Sequence, residues 1–107
     1  MSQPLVERLR AQVGGPRDGA LLRFSIGSAL LGDGDYAGAA TAFREALAFD
    51  KHYSAAWKLL GKSLLASDDE SGAAEAWRNG IEAALERGDK QAEKEMTVFL
   101  NRLPRTG

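Results

Sequence analysis

One stretch of this chain, Ser54 to Arg87, repeats the pattern of the stretch before it, Ala20 to Tyr53, at a constant offset. Gly27 returns as Gly61, Leu30 and Leu31 as Leu64 and Leu65, and Asp35 as Asp69. Gly38, Ala39, Ala42 and Arg44 return as Gly72, Ala73, Ala76 and Arg78, and Phe43 becomes Trp77, still aromatic. A period of about 34 residues is that of a stacked helix-turn-helix array, in which no unit can bury its apolar face alone. With 107 residues, the chain has room for one small domain built this way.

Composition narrows the functional classes. Without cysteine there is no disulfide framework, thiolate zinc site or cysteine nucleophile. A net charge of −1 does not suit a protein that holds polyanions, so nucleic acid is not an expected partner. Charge is nonetheless uneven: residues 67–95 carry nine acids against four bases, while the N-terminal end and the segment after Leu103 lean basic. No run approaches the ~18 apolar residues of a membrane span, and the first residues lack the apolar core of a secretion signal. A cytoplasmic protein is the expectation.

The spacing along the chain predicts helices and their ends. Ser2 is a candidate N-cap for a short helix over 4–13, with Pro4 in its first turn and Leu5, Val6, Leu9 and Val13 on one side. Gly14, Gly15 and Pro16 stop it. Asp18 is the expected cap of a helix from Ala20 to Leu31 with Leu22, Ile26, Ala29 and Leu30 on its apolar face. Asp35 caps the next, Tyr36 to Phe49, with Ala39, Ala40, Ala42, Phe43, Ala46 and Leu47 inward. Ser54 is the expected cap of the first helix of the second unit, and that unit's other helix runs on to about Arg87, helped by a pair of Arg78 with Glu82. Gly88 and Asp89 then separate it from a last helix, in which Ala92, Met96, Phe99, Leu100 and Leu103 form a stripe and Lys90, Glu93, Lys94 and Glu95 face water. Glycine inside a helix costs about 1 kcal/mol relative to alanine, so Gly27 and Gly61 imply a neighbour too close for a side chain.

No catalytic arrangement emerges. His52, the one histidine, lies in an inter-helix link without a second histidine or any cysteine to share a metal. Asp33-Gly34-Asp35 opens like a calcium loop, but Arg44 stands where the liganding glutamate belongs. Gly32-x-Gly34-x-x-Ala37 follows a helix, whereas a dinucleotide loop follows a strand. Trp57 and Trp77 read as packing residues. The expectation is a protein that is not an enzyme and carries no metal or cofactor.

The second unit resembles the tetratricopeptide repeat, with Trp57, Leu60 and Gly61 at the fourth, seventh and eighth places and Ala73 and Trp77 at the twentieth and twenty-fourth. The first unit supplies Ile26, Gly27, Ala39, Phe43 and Ala46, and departs at Arg23, where the family prefers a large apolar residue. The resemblance implies an all-α fold, an α-α superhelix of antiparallel helix pairs with about six helices. It divides the single domain, 1–107, into an N-terminal helix (4–13), two repeats (20–53 and 54–87) and a capping helix (89–103). In this family the first helix of each unit lines a concave groove that binds a peptide or another protein. The resemblance places Leu21, Phe24, Ser28, Leu31 and Gly32 there in the first unit, and Ala55, Lys58, Lys62, Leu65 and Ala66 in the second. The asparagines that relatives use to grip the chaperone C-terminal carboxylate are missing at these places. What remains is an apolar end beside Lys58 and Lys62, suited to a peptide or partner helix with apolar anchors and an acidic group. Two alternatives stand beside it. The N-terminal helix covers Leu21 and Phe24 and the lysines are merely solvated, or the protein acts by self-association, as a weak homodimer rather than a monomer.

Overall fold

A computed structural model describes residues 3–104, and six helices account for about three quarters of them. They are α1 (Gln3–Arg10), α2 (Ala20–Gly32), α3 (Tyr36–Phe49), α4 (Ser54–Ala66), α5 (Glu70–Arg87) and α6 (Lys90–Arg102). Each packs on the next in the chain, and α4 also touches α2 on one side and α6 on the other. This is the staggered stacking of a solenoid, all-α among the described residues.

Short polar links set the helix starts. Asp35 accepts a hydrogen bond from the Gly38 amide at 3.0 Å, Asp69 one from Gly72 at 2.9 Å and Asp89 one from Ala92 at 3.1 Å, each replacing a missing intrahelical acceptor. Gly88, at φ 77°, closes α5 in the left-handed region. Leu103 leaves α6 in an extended conformation, as the residue before Pro104 must.

Four local expectations are corrected. α1 ends at Arg10 rather than at Val13, because Gln12 and Val13 already donate to carbonyls only three residues back, at 3.0 and 3.1 Å, and the chain turns there. Asp18 does not cap α2. Its carboxylate is drawn to Arg23, and the N-cap is Gly19, which offers no side chain. Ser54 is the first residue of α4 rather than its cap, and its buried Oγ has no hydrogen-bond partner among the described residues. Arg78 and Glu82 form no ion pair; both point to solvent, where such a pair gains little. Ser2 lies outside the described residues.

The core is a spine of small residues with an aromatic wedge in each pair. Ala39, Ala46, Ala73 and Ala84 are fully buried, and so are Phe43 and, nearly, Trp77. A Cβ on Gly27 would lie 2.7 Å from the Phe43 ring, and one on Gly61 would clash with the Trp77 indole at Nε1. The close neighbour that the two glycines imply is therefore the aromatic residue of the same pair, sixteen residues further on. Burying rings of this size against a bare helix backbone stabilises each pair by roughly 2–3 kcal/mol per side chain.

The period also reaches α1. An open cleft between α3 and α5, of 430 Å³, is lined by Arg44, Leu47 and Trp57 among others. A second, of 450 Å³, lies between α1 and α3, and its lining residues Arg10, Val13 and Arg23 stand 34 positions before those three. α1 thus takes the place of a second helix of a preceding unit. α6 takes the place of a first helix: its buried Ala92 and Met96 correspond to buried Ala56 and Leu60 of α4.

Candidate functional site

The face shared by α2, α4 and α6 carries the residues expected to meet a partner. Leu21, in the first turn of α2, is 69% exposed, so α1 does not cover it. Phe24, one turn along, is half-buried; its ring stacks on Tyr53 with centroids 4.9 Å apart and tilts against Phe43 at 5.6 Å. Ser28 is half-buried, and so is Leu31, which packs against the core. Leu65 is 37% exposed near the end of α4. Gly32 and Ala66 are exposed at the last residues of α2 and α4, and Ala55 is half-buried at the start of α4.

The two lysines are held rather than free. Lys58 Nζ lies 3.2 Å from Glu95 Oε1, and Lys62 Nζ lies 4.7 Å from the centroid of the Phe99 ring. Glu95 and Phe99 sit one turn apart on α6, as the lysines do on α4, so the two helices meet in register. Phe99 in turn leans on Trp77, centroids 5.4 Å apart. The expectation that Glu95 faces water is therefore corrected. An acid and an apolar side chain, the groups expected of a partner, are thus present in the chain's own last helix. Lys58 is neutralised there, while Lys62 makes a cation–π contact and remains exposed, with no ion pair among the described residues.

Tyr53, Glu95 and Phe99 are residues of this face that the repeat pattern does not mark. Tyr53 belongs to the link before α4, and burial, with the Asp50 charge adding to it, pushes its phenol above the usual tyrosine range. The matching Lys-x₃-Lys and Glu-x₃-Phe spacings were the available clue to the other two.

A second polar cluster lies at the α1–α2 link. Arg23 gives two parallel hydrogen bonds to Asp18, both 2.9 Å, while its third nitrogen reaches Glu45 of α3 at 3.0 Å. Its guanidinium also stands 5.5 Å from the centre of the exposed Phe49 ring. The Asp18 carboxyl is lowered to about 2, first by the Arg23 hydrogen bond and then by the Gly14 amide. Arg23 at a place usually apolar is thus a structural tie between α2, α3 and the preceding link. His52 is another such tie: its Nε2 lies 2.9 Å from Glu86, and its carbonyl accepts from Arg87 at 3.0 Å. Among the described residues no three acids or histidines come together in a way that could hold a metal ion.

Paired helices at a 34-residue period, with glycine against an aromatic wedge in each pair, define an α-helical repeat solenoid. The tetratricopeptide repeat family model matches residues 30–87. The TPR repeat-containing protein PA0015 of Pseudomonas aeruginosa is 46% identical over 101 residues, covering 94% of this chain and 96% of that protein. The solution structure of protein BPP2914 from Bordetella parapertussis superposes with a TM-score of 0.80 at 44% identity, over 94% of this chain and 87% of that one. The chain belongs to the tetratricopeptide repeat family, and membership implies a protein–protein interaction module. No helix among the described residues is long and apolar enough to cross a membrane.

Proposed function

We propose that the protein is a non-enzymatic, cytoplasmic interaction module that holds a peptide or partner helix along the face lined by α2 and α4. The carrying observation is Leu21, an apolar side chain 69% exposed on the same helix as Phe24 and Leu31. A large apolar residue left in water beside half-buried aromatic and aliphatic neighbours is a natural anchor point. Leu65 extends this surface on α4, and Lys62 supplies the cation for an acidic group of the ligand, while Lys58 is held by Glu95 and fixes the α4–α6 spacing. Ser28 offers a hydroxyl between the two ends.

The reading is tested by selecting peptides from a random displayed library on the immobilised protein and measuring their affinities for variants. Selected peptides are expected to share an apolar residue and an acid. Leu21→Ser and Lys62→Glu should each weaken them roughly tenfold, the loss of one buried apolar contact or one charge-assisted bond. Peptides that bind both variants as tightly as the wild-type protein would remove the assignment of this face.

A further inference from the structure

The stacking order runs second helix, two complete pairs, first helix. Among the described residues α1 has no first helix before it and α6 no second helix after it, so the two ends are complementary halves of one unit. The surfaces show the same incompleteness. Leu5 of α1 is 40% exposed, whereas its counterparts Ala39 and Ala73, 34 and 68 positions on, are fully buried against the first helix of their own pairs. Charge follows the period as well. Arg10, Arg44 and Arg78 recur on α1, α3 and α5, and Glu7 holds on α1 the place that Glu75 holds on α5. Arg44 and Glu75 line one cleft from its two sides. Arg78 and Glu7 are exposed, and neither forms an ion pair among the described residues.

We propose that copies of this chain stack head to tail, α6 of one copy and α1 of the next forming a helix pair between them. One further step of the repeat sets Arg78 of the first copy across a cleft from Glu7 of the second, as Arg44 stands across from Glu75 within the chain. Leu5 is then covered by α6. The contact is heterologous, so it does not close at a dimer, and it is independent of the partner-binding face proposed above. An eight-residue helix against the partly polar outer side of α6, with Glu93 and Thr97, buries little area, and the association is weak and salt-sensitive.

The test is analytical ultracentrifugation of the whole chain from about 10 µM to about 1 mM, a range set by the small contact. The weight-average mass should rise above 11.5 kDa and pass twice that value without a plateau. Arg78→Glu and Glu7→Arg should each weaken stacking roughly three- to tenfold by placing like charges together. An equimolar mixture of the two variants should recover it, because every mixed junction again joins opposite charges. Both residues are on the surface, and circular dichroism verifies that the variants remain folded. A mass that stays at 11.5 kDa, a plateau at twice that mass, or a mixture no better than its components would each overturn the proposal.

Discussion

Ser54 shows how one side chain can obey the repeat and still be misplaced. It stands where Ala20 begins the first unit, and a serine just ahead of an apolar helical pattern is an ordinary capping signal. In the fold it is already helical, and its buried hydroxyl has no hydrogen-bond partner among the described residues, a state that costs about 1–3 kcal/mol. Ser54→Ala should therefore raise the stability by about 1 kcal/mol in urea unfolding. A capping serine would give the opposite sign, a loss of about 1 kcal/mol. Asp18 presents the same ambiguity. Aspartate ahead of a helix can cap it, or it can turn to an arginine five residues on, and the sequence alone does not rank a bidentate arginine above two backbone amides. By contrast Asp35, Asp69 and Asp89 have no arginine at that distance, and they cap as their position predicts. Gly27 and Gly61 were legible because a costly residue recurring at a fixed offset demands a close neighbour.

At the scale of elements, the Asp18–Arg23–Glu45 cluster joins the α1–α2 link to α2 and α3, and it carries a pH signature. The folded-state pKa of Asp18, about 2, lies below the ~3.9 of an unfolded aspartate. The unfolded chain then binds the proton more readily. The stabilisation is fully present above about pH 4 and is lost as pH falls through about 2. Carboxyl chemical shifts followed by NMR should show the Asp18 midpoint near 2 in the wild-type protein. In Arg23→Gln it should move up toward the ordinary aspartate range, since the largest cause of the shift is gone. An unchanged midpoint would transfer the effect to the Gly14 and Gly19 amides. Helix identities were readable at this scale because two full copies of the unit could be compared. The place of α1 was not: Val6, Leu9 and Val13 align with Ala40, Phe43 and Leu47, but size and type change at each. The engagement of Lys58 and Lys62 by α6 was also hidden. α5 is four residues longer than α3 and its following link is shorter, so α6 departs from the 34-residue register and brings Glu95 and Phe99 alongside the lysines.

At the scale of the whole molecule, a solenoid has no single centre, and its stability is the sum of pair and neighbour terms. The terms are unequal here. α3, α4 and α5 each pack on at least two other helices and hold Phe43, Leu60 and Trp77, whereas α1 has eight residues, of whose described side chains only Val6 is fully buried, and one neighbouring helix, α2, as its main support. A helix of that length is marginal without docking, so α1 should open independently of the rest. Native-state hydrogen exchange is expected to show α4 and α5 amides exchanging only through global unfolding. Amides of α1 should exchange through a local opening that costs at most about 2 kcal/mol. Equal protection in α1 and α5 would make the array a single cooperative unit and contradict the additive picture. Protein concentration gives the measurement a second axis. Head-to-tail stacking covers α1 with α6 of another copy, and binding to the closed form alone slows opening by mass action. Protection of α1 should then rise with concentration while that of α4 stays constant, and Glu7→Arg should move the rise to roughly three- to tenfold higher concentration without altering exchange at low concentration.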